Sequence, residues 1–92
     1  MINKNEIKLI VKSYDKESNM IVAMEECAEL IQAISKMRRK PENKVIRENL
    51  IEEISDVIIC IEILKENLEI KDSEIDSKVS VKMKRNIERI DN

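Results

Sequence analysis

The chain contains no glycine and a single proline, Pro41. The tight turns that join β-strands favour Gly, Asn and Asp, so a glycine-free chain is poorly equipped to build a sheet. Strands are also enriched in aromatic residues, which make up only 1% here. Ile and Val are plentiful, but they recur at helical rather than alternating spacing. Together with the abundance of Glu, Lys, Ile and Leu, this predicts an all-α chain. Its 92 residues suffice for one domain, residues 1–92, with a modest core.

Caps and periodicity predict four helices. The first covers Asn3–Ser13, with Asn3 as its cap, Glu6 three residues on, and Ile7, Ile10 and Val11 on one side. The second covers Ser18–Arg39. Lys36, Arg38, Arg39 and Lys40 suit its negative C-terminal end, and Pro41 stops it. The third covers Asn43–Leu68, nearly 40 Å at about 1.5 Å per residue. The fourth covers Ser73–Ile90, where Ser73-x-x-Asp76 reads as a capping box. The connections are short, so neighbouring helices are expected to run antiparallel.

Missing residue types exclude whole classes of function. Without His there is no His-based catalytic triad, no HExxH zinc site and no ExxH di-iron bundle. Without Gly there is no glycine-rich phosphate loop. A net charge of −2 and the lack of aromatic platforms argue against a nucleic-acid polymer as partner. Cys27 and Cys60 are too few for a disulfide scaffold and are expected as buried, reduced thiols. The N-terminal apolar stretch is short and interrupted by Lys, unlike a signal peptide. No run is long enough to span a membrane, so a cytoplasmic location is expected.

The remaining signal is acidic. Glu26 and Glu29 stand three apart inside MIVAMEECAELIQAI, and Glu53 and Asp56 stand three apart inside LIEEISDVIICIEIL. At about 100° per residue, Ala23, Cys27, Leu30, Ile34 and Met37 form a stripe on the second helix. Glu26 falls at the edge of that stripe and Glu29 one step further round, while Glu25 lies on the polar side. On the third helix Ile46, Val57 and Leu64 share a line, with Glu53 almost on it and Asp56 beside it. Glu48, Glu52, Glu62 and Glu66 take the opposite side.

A carboxylate within an apolar stripe costs several kcal/mol unless something neutralises it. Side chains at i and i+3 share a helix face, so two facing pairs make a ring of hard oxygen ligands. Such a ring suits Mg²⁺, with Mn²⁺ as an alternative, whereas Zn²⁺ prefers nitrogen or sulfur. Pairing with Lys or Arg is the competing reading, but the nearest cations in sequence, Lys36 and Lys65, lie on other helix faces. On the fourth helix Lys82, Asn86 and Arg89 share one face beside Val79, Met83, Ile87 and Ile90. Such donors suit a phosphate chain, although this spacing taken alone is usually that of a solvated basic face.

The pattern Glu25-Glu26-x-x-Glu29, followed two dozen residues later by Glu53-x-x-Asp56, resembles the signature of the all-α NTP pyrophosphatases. Lys82, Asn86 and Arg89 resemble the C-terminal motif of the MazG-like branch. The resemblance spans most of the chain and implies a four-helix MazG-like bundle completed by homo-oligomerisation. It implies Mg²⁺-dependent cleavage of a nucleoside triphosphate between the α and β phosphates, giving a monophosphate and pyrophosphate. On that likeness Glu26, Glu29, Glu53 and Asp56 would ligate the metal. Glu53 or Glu29 would also orient or deprotonate the attacking water. Lys82, Asn86 and Arg89, with Lys36 and Arg39 as weaker candidates, would hold the phosphates. The chain departs from relatives that stack the base on tryptophan: its one aromatic, Tyr14, is expected to pack at the end of the first helix.

Two rival functions remain: phosphoribosyl-ATP hydrolysis, on the same chemistry, and a non-enzymatic helical regulatory or assembly protein. Self-association is expected in each case. The third helix carries a second apolar line, Ile51, Ile54 and Ile58, that a lone domain would leave open.

Overall fold

A computed structural model describes residues 1–91. It is all-α, with four helices in the order α1 Lys4–Ser13, α2 Lys16–Arg39, α3 Lys44–Asn67 and α4 Asp72–Asp91. No helix among the described residues is long and apolar enough to cross a membrane.

Asn3 caps α1 as expected, its side-chain oxygen accepting from the backbone N–H of Asn5 and Glu6. Asn43 caps α3 in the same way, accepting from Ile46 N–H. The starts of α2 and α4 differ from expectation. Asp15, not Ser18, caps α2: it accepts from Ser18 N–H at 2.8 Å, and Ser18 Oγ donates back to it. At α4 the expected Ser73-x-x-Asp76 box is replaced by one two residues earlier, Lys71-x-x-Glu74. Glu74 reaches back to accept from Lys71 N–H at 2.8 Å, the half of a capping box that a glutamate supplies.

α2 and α3 form the central pair. Met20, early in α2, shares a cleft with Leu68 at the end of α3, and Lys36 and Arg39 share one with Ile46. The pair therefore runs antiparallel. Two of its most buried residues have short side chains: Ala23 and Ala33 are buried, Ala33 with 1% of its surface exposed. Leu30 and Met37 are half-buried, but Cys27 and Ile34 of the expected stripe are exposed. The buried face of α2 is thus rotated from the expected stripe, from the Cys27 side towards Glu26. α1 packs on α3 and buries Ile7. Tyr14 does not pack at the end of α1; it is 63% exposed.

The turn after α3 has to redirect the chain without glycine. Glu69 adopts a left-handed conformation at φ 54°. Glu69 N–H donates to Glu66 O, and Ile70 N–H to Lys65 O at 2.9 Å. These are the paired bonds of a Schellman motif, with Glu where glycine is usual. Beyond this turn Asp72 takes ion pairs from Lys4, at the start of α1, and from Lys65. Lys65 also holds Glu62, which is half-buried rather than on the open water side.

α4 does not close a four-helix bundle within the chain. It packs along none of the other helices, and its residues are exposed through Ile90. The radius of gyration is 16.0 Å, against about 12 Å for a compact chain of this length. A three-helix body with an outlying fourth helix accounts for the difference.

Candidate metal centre

The rotation of α2 brings Glu26 into the packed face instead of leaving it at the edge. There it meets the α3 pair. Carboxylate oxygens of Glu26, Glu53 and Asp56 lie within 4.8 Å of one another. Glu26 and Glu53 are half-buried, while Asp56 and Glu29 are exposed. One oxygen of Glu26 and one of Glu53 are buried without a hydrogen-bond partner.

Burial and crowding both oppose ionisation here. Burial chiefly, then the charges of Glu29 and Asp56, push the Glu26 carboxyl from its ordinary 4.5 up to about 7. Glu53 is raised for the same reasons, burial first, then Glu29 and Asp56. Glu29 stands outside the close trio, yet its charge is felt by both glutamates. Among the described residues no Lys or Arg forms an ion pair with Glu26, Glu53 or Asp56. Lys65, one of the two candidate partners, is engaged by Glu62 and Asp72 instead.

The residues fit a hard divalent cation. Mg²⁺ takes oxygen ligands at about 2.0–2.1 Å, so oxygens on one ion stand at most about 4.2 Å apart, and oxygens already within 4.8 Å of one another need to move little to share one. The orphaned oxygens of Glu26 and Glu53 are acceptors that no protein donor satisfies, and a cation would satisfy them. All the candidate donors are oxygens, the set that Mg²⁺, Ca²⁺ and Mn²⁺ prefer.

Cys60 is buried beside this centre, in a shallow cavity shared with Glu26 and Asp56, and its thiol is pushed up by burial first and then by Glu26. Cys27 is exposed, contrary to the expectation that both thiols are buried. It faces an apolar cleft, because the rotated α2 turns it out of the helix pair.

The predicted phosphate-holding residues are not gathered here. Lys82, Asn86 and Arg89 are exposed on α4, which does not pack along α2 or α3. Lys36 and Arg39 line a cavity of about 220 Å³ with Lys40 and Ile46, at the far end of the helix pair. Lys40 joins Lys36 and Arg39 there, as its place in the Lys36–Lys40 basic run allows.

No family model, curated protein or solved structure matches the chain.

Proposed function

We propose that the protein is a Mg²⁺-dependent nucleoside triphosphate pyrophosphohydrolase of the MazG-like kind. The observation that carries this reading is the trio of Glu26, Glu53 and Asp56, with two buried, unpartnered carboxylate oxygens. A structural role would have supplied donors to those oxygens, because leaving buried acceptors unmet opposes folding. Glu26, Glu53 and Asp56 would hold the cation, with Glu29 as the ligand at the rim.

A divalent cation at this point would polarise the scissile phosphate and offset charge on the departing pyrophosphate. Glu29 is exposed and adjacent to Glu53, which suits either carboxylate to hold the attacking water and accept its proton. Half-burial of Glu53 raises its basicity, as a general base requires. Lys82, Asn86 and Arg89 would hold the phosphates, and α4 of a second copy would have to supply them. Lys36 and Arg39 lie along the same helix pair and would meet a more distant part of the substrate.

One observation favours the second reading, a helical assembly protein: much of the apolar surface of α2, α3 and α4 is exposed. The deciding experiment is incubation with a panel of NTPs, dNTPs and phosphoribosyl-ATP plus Mg²⁺, with pyrophosphate detected directly. The expected first product is pyrophosphate from at least one of them. Stepwise release of orthophosphate contradicts the mechanism, and no turnover of any substrate favours the assembly protein.

A further inference from the structure

α4 leaves the body through a joint that main-chain hydrogen bonds do not cross. On the α3 side the last of them runs from Ile70 N–H to Lys65 O at 2.9 Å. On the α4 side the first are Lys71 N–H to the Glu74 carboxylate, and Glu74 N–H and Ile75 N–H to Lys71 O. Each cap closes on its own helix, and the Ile70–Lys71 link lies outside both. Beyond it α4 packs along no other helix, and its residues are exposed through Ile90. Neither backbone bonding nor apolar packing therefore fixes its direction.

Two ion pairs do bridge the joint, and both end on one carboxylate. Asp72, the first residue of α4, takes Lys65 of α3 and Lys4 of α1, the latter at 2.9 Å. Lys65 is a suitable anchor. Its side chain is only 17% exposed, and Glu62 on the same helix holds it in place. Its carbonyl also accepts from Ile70, so one residue both ends the turn and receives α4. Lys4 is exposed and ties in α1.

Such pairs are of a strength that salt can shift. Ion pairs of exposed groups are weak, and the Debye length falls from about 10 Å at 0.1 M to about 3 Å at 1 M ionic strength. A weak pair is enough to orient a helix that packing leaves undirected. The lever is long: α4 has 20 residues. At about 1.5 Å per residue it spans about 30 Å, so a turn of about 20° at its root moves its far end by about 10 Å.

We infer that Asp72 is an electrostatic latch: its pairs with Lys4 and Lys65 set the direction of α4, and breaking them frees the helix to swing about Ile70–Lys71. Raised ionic strength is its physical trigger. Lys82, Asn86 and Arg89 ride on that helix, so the latch also governs where those donors stand. The inference goes beyond the function proposed above, and its test needs neither metal nor nucleotide.

The test is a spin-label distance measurement on the full chain. Gln32→Cys on α2 and Lys84→Cys on α4 carry the labels, together with Cys27→Ala and Cys60→Ala; both label sites are exposed. The labelled chain is diluted into an excess of unlabelled chain, so that only distances within one chain are read. At about 20 mM NaCl a single narrow distribution is expected, and about 1 M NaCl should at least double its width. Asp72→Asn at low salt should do the same. Lys4→Gln, which leaves the first turn of α4 untouched, should widen the distribution less, and it decides the matter if Asp72→Asn loses helical circular dichroism. Asp76→Asn, which takes part in neither pair, should leave the width unchanged. A parent distribution already broad at low salt overturns the inference. So does a failure of high salt, of folded Asp72→Asn or of Lys4→Gln to widen it, or an equal widening by Asp76→Asn.

Discussion

If the carboxylate centre holds Mg²⁺ as proposed, the effect of the metal on stability depends on pH with a sign opposite to that of the metal-free protein. Glu26 is pushed up to about 7 from an ordinary 4.5. Without metal, the folded chain between those values keeps a proton that the unfolded chain has released. The contribution of Glu26 is therefore complete below about 4.5 and is lost as pH rises through about 7. A cation needs that same carboxylate deprotonated. At pH 6 about one molecule in eleven has Glu26 ionised, against about ten in eleven at pH 8, so binding is about tenfold weaker at the lower pH.

Mg²⁺ at about 100 times its Kd at pH 8 adds roughly 2.7 kcal/mol. For a chain of this size each kcal/mol moves Tm by about 4–8 °C, so the shift exceeds ten degrees. At pH 6 the same Mg²⁺ stands at about ten times Kd, and the shift falls to roughly half. The assay is a set of thermal melts at pH 6, 7 and 8, in EDTA and in Mg²⁺ or Mn²⁺. Asp72, held down to about 2 by Lys65 and Lys4, loses its ion pairs only in acid and does not disturb this window. Equal metal-induced shifts at pH 6 and pH 8, or none at either, would refute the reasoning. Glu26→Gln should flatten the metal-free slope between pH 6 and 8, and a slope that survives it would belong to another group.

Glu53→Gln removes one charge from the trio, so metal-free Tm should be unchanged or higher, while pyrophosphate release falls at least a hundredfold; a strongly destabilised variant that keeps its activity refutes the ligand role. Glu69→Gly should raise stability by about 0.5–1 kcal/mol in urea melts, because glycine adopts the left-handed turn without a Cβ clash; a loss of stability would mean that the Glu69 side chain matters more than its backbone. Asn43→Ala should cost about 1 kcal/mol by the same assay, since the Ile46 N–H loses its 3.0 Å acceptor; no loss would show that water replaces the cap.

Local chemistry was readable where one residue decides the outcome. Asn3 could be recognised as a cap because a short amide oxygen placed before a helical run has few other uses, whereas Asn43, expected as the first residue of the third helix, caps it instead. Glu53 could be placed on the inner face of α3 because it lies on the Ile46, Val57 and Leu64 line; all three are half-buried, while the second apolar line, Ile51, Ile54 and Ile58, is exposed. Where two residues competed, the reading was off by a few positions. Asp15 and Ser18 are both capping types, and in the structure each satisfies the other. At α4 the signal was a glutamate reaching back to a lysine's backbone, which no side-chain preference at Lys71 announces. The inner face of α2 was misplaced for a packing reason. The expected stripe includes Cys27 and Ile34, which are exposed, and omits Ala33, which is buried with 1% of its surface exposed. Short side chains carry little weight in a hydrophobic count but decide how near two helices come.

The placement of α4 belongs to a different category, since it depends on contacts far apart in sequence. Nothing in the period of Ile75, Val79, Met83 and Ile87 says which surface the stripe meets, only that it must meet one. The same holds for the donors beside it. Lys82, Asn86 and Arg89 read as phosphate ligands on a bundle's fourth helix, but α4 leaves its own chain with the Lys4–Asp72 pair at its root. The acidic centre and the open stripe are then two halves of one requirement. Buried carboxylates without donors oppose folding of the isolated chain, and an exposed apolar helix adds nothing to it. On the function proposed above, association and a cation would relieve both penalties, and the metal-bound oligomer would be more stable than the single chain. Dilution and chelation should therefore act together: EDTA should lower the protein concentration-dependent Tm most in dilute samples. If the metal-induced shift is instead the same at every protein concentration, the two sites are independent and this coupling is wrong.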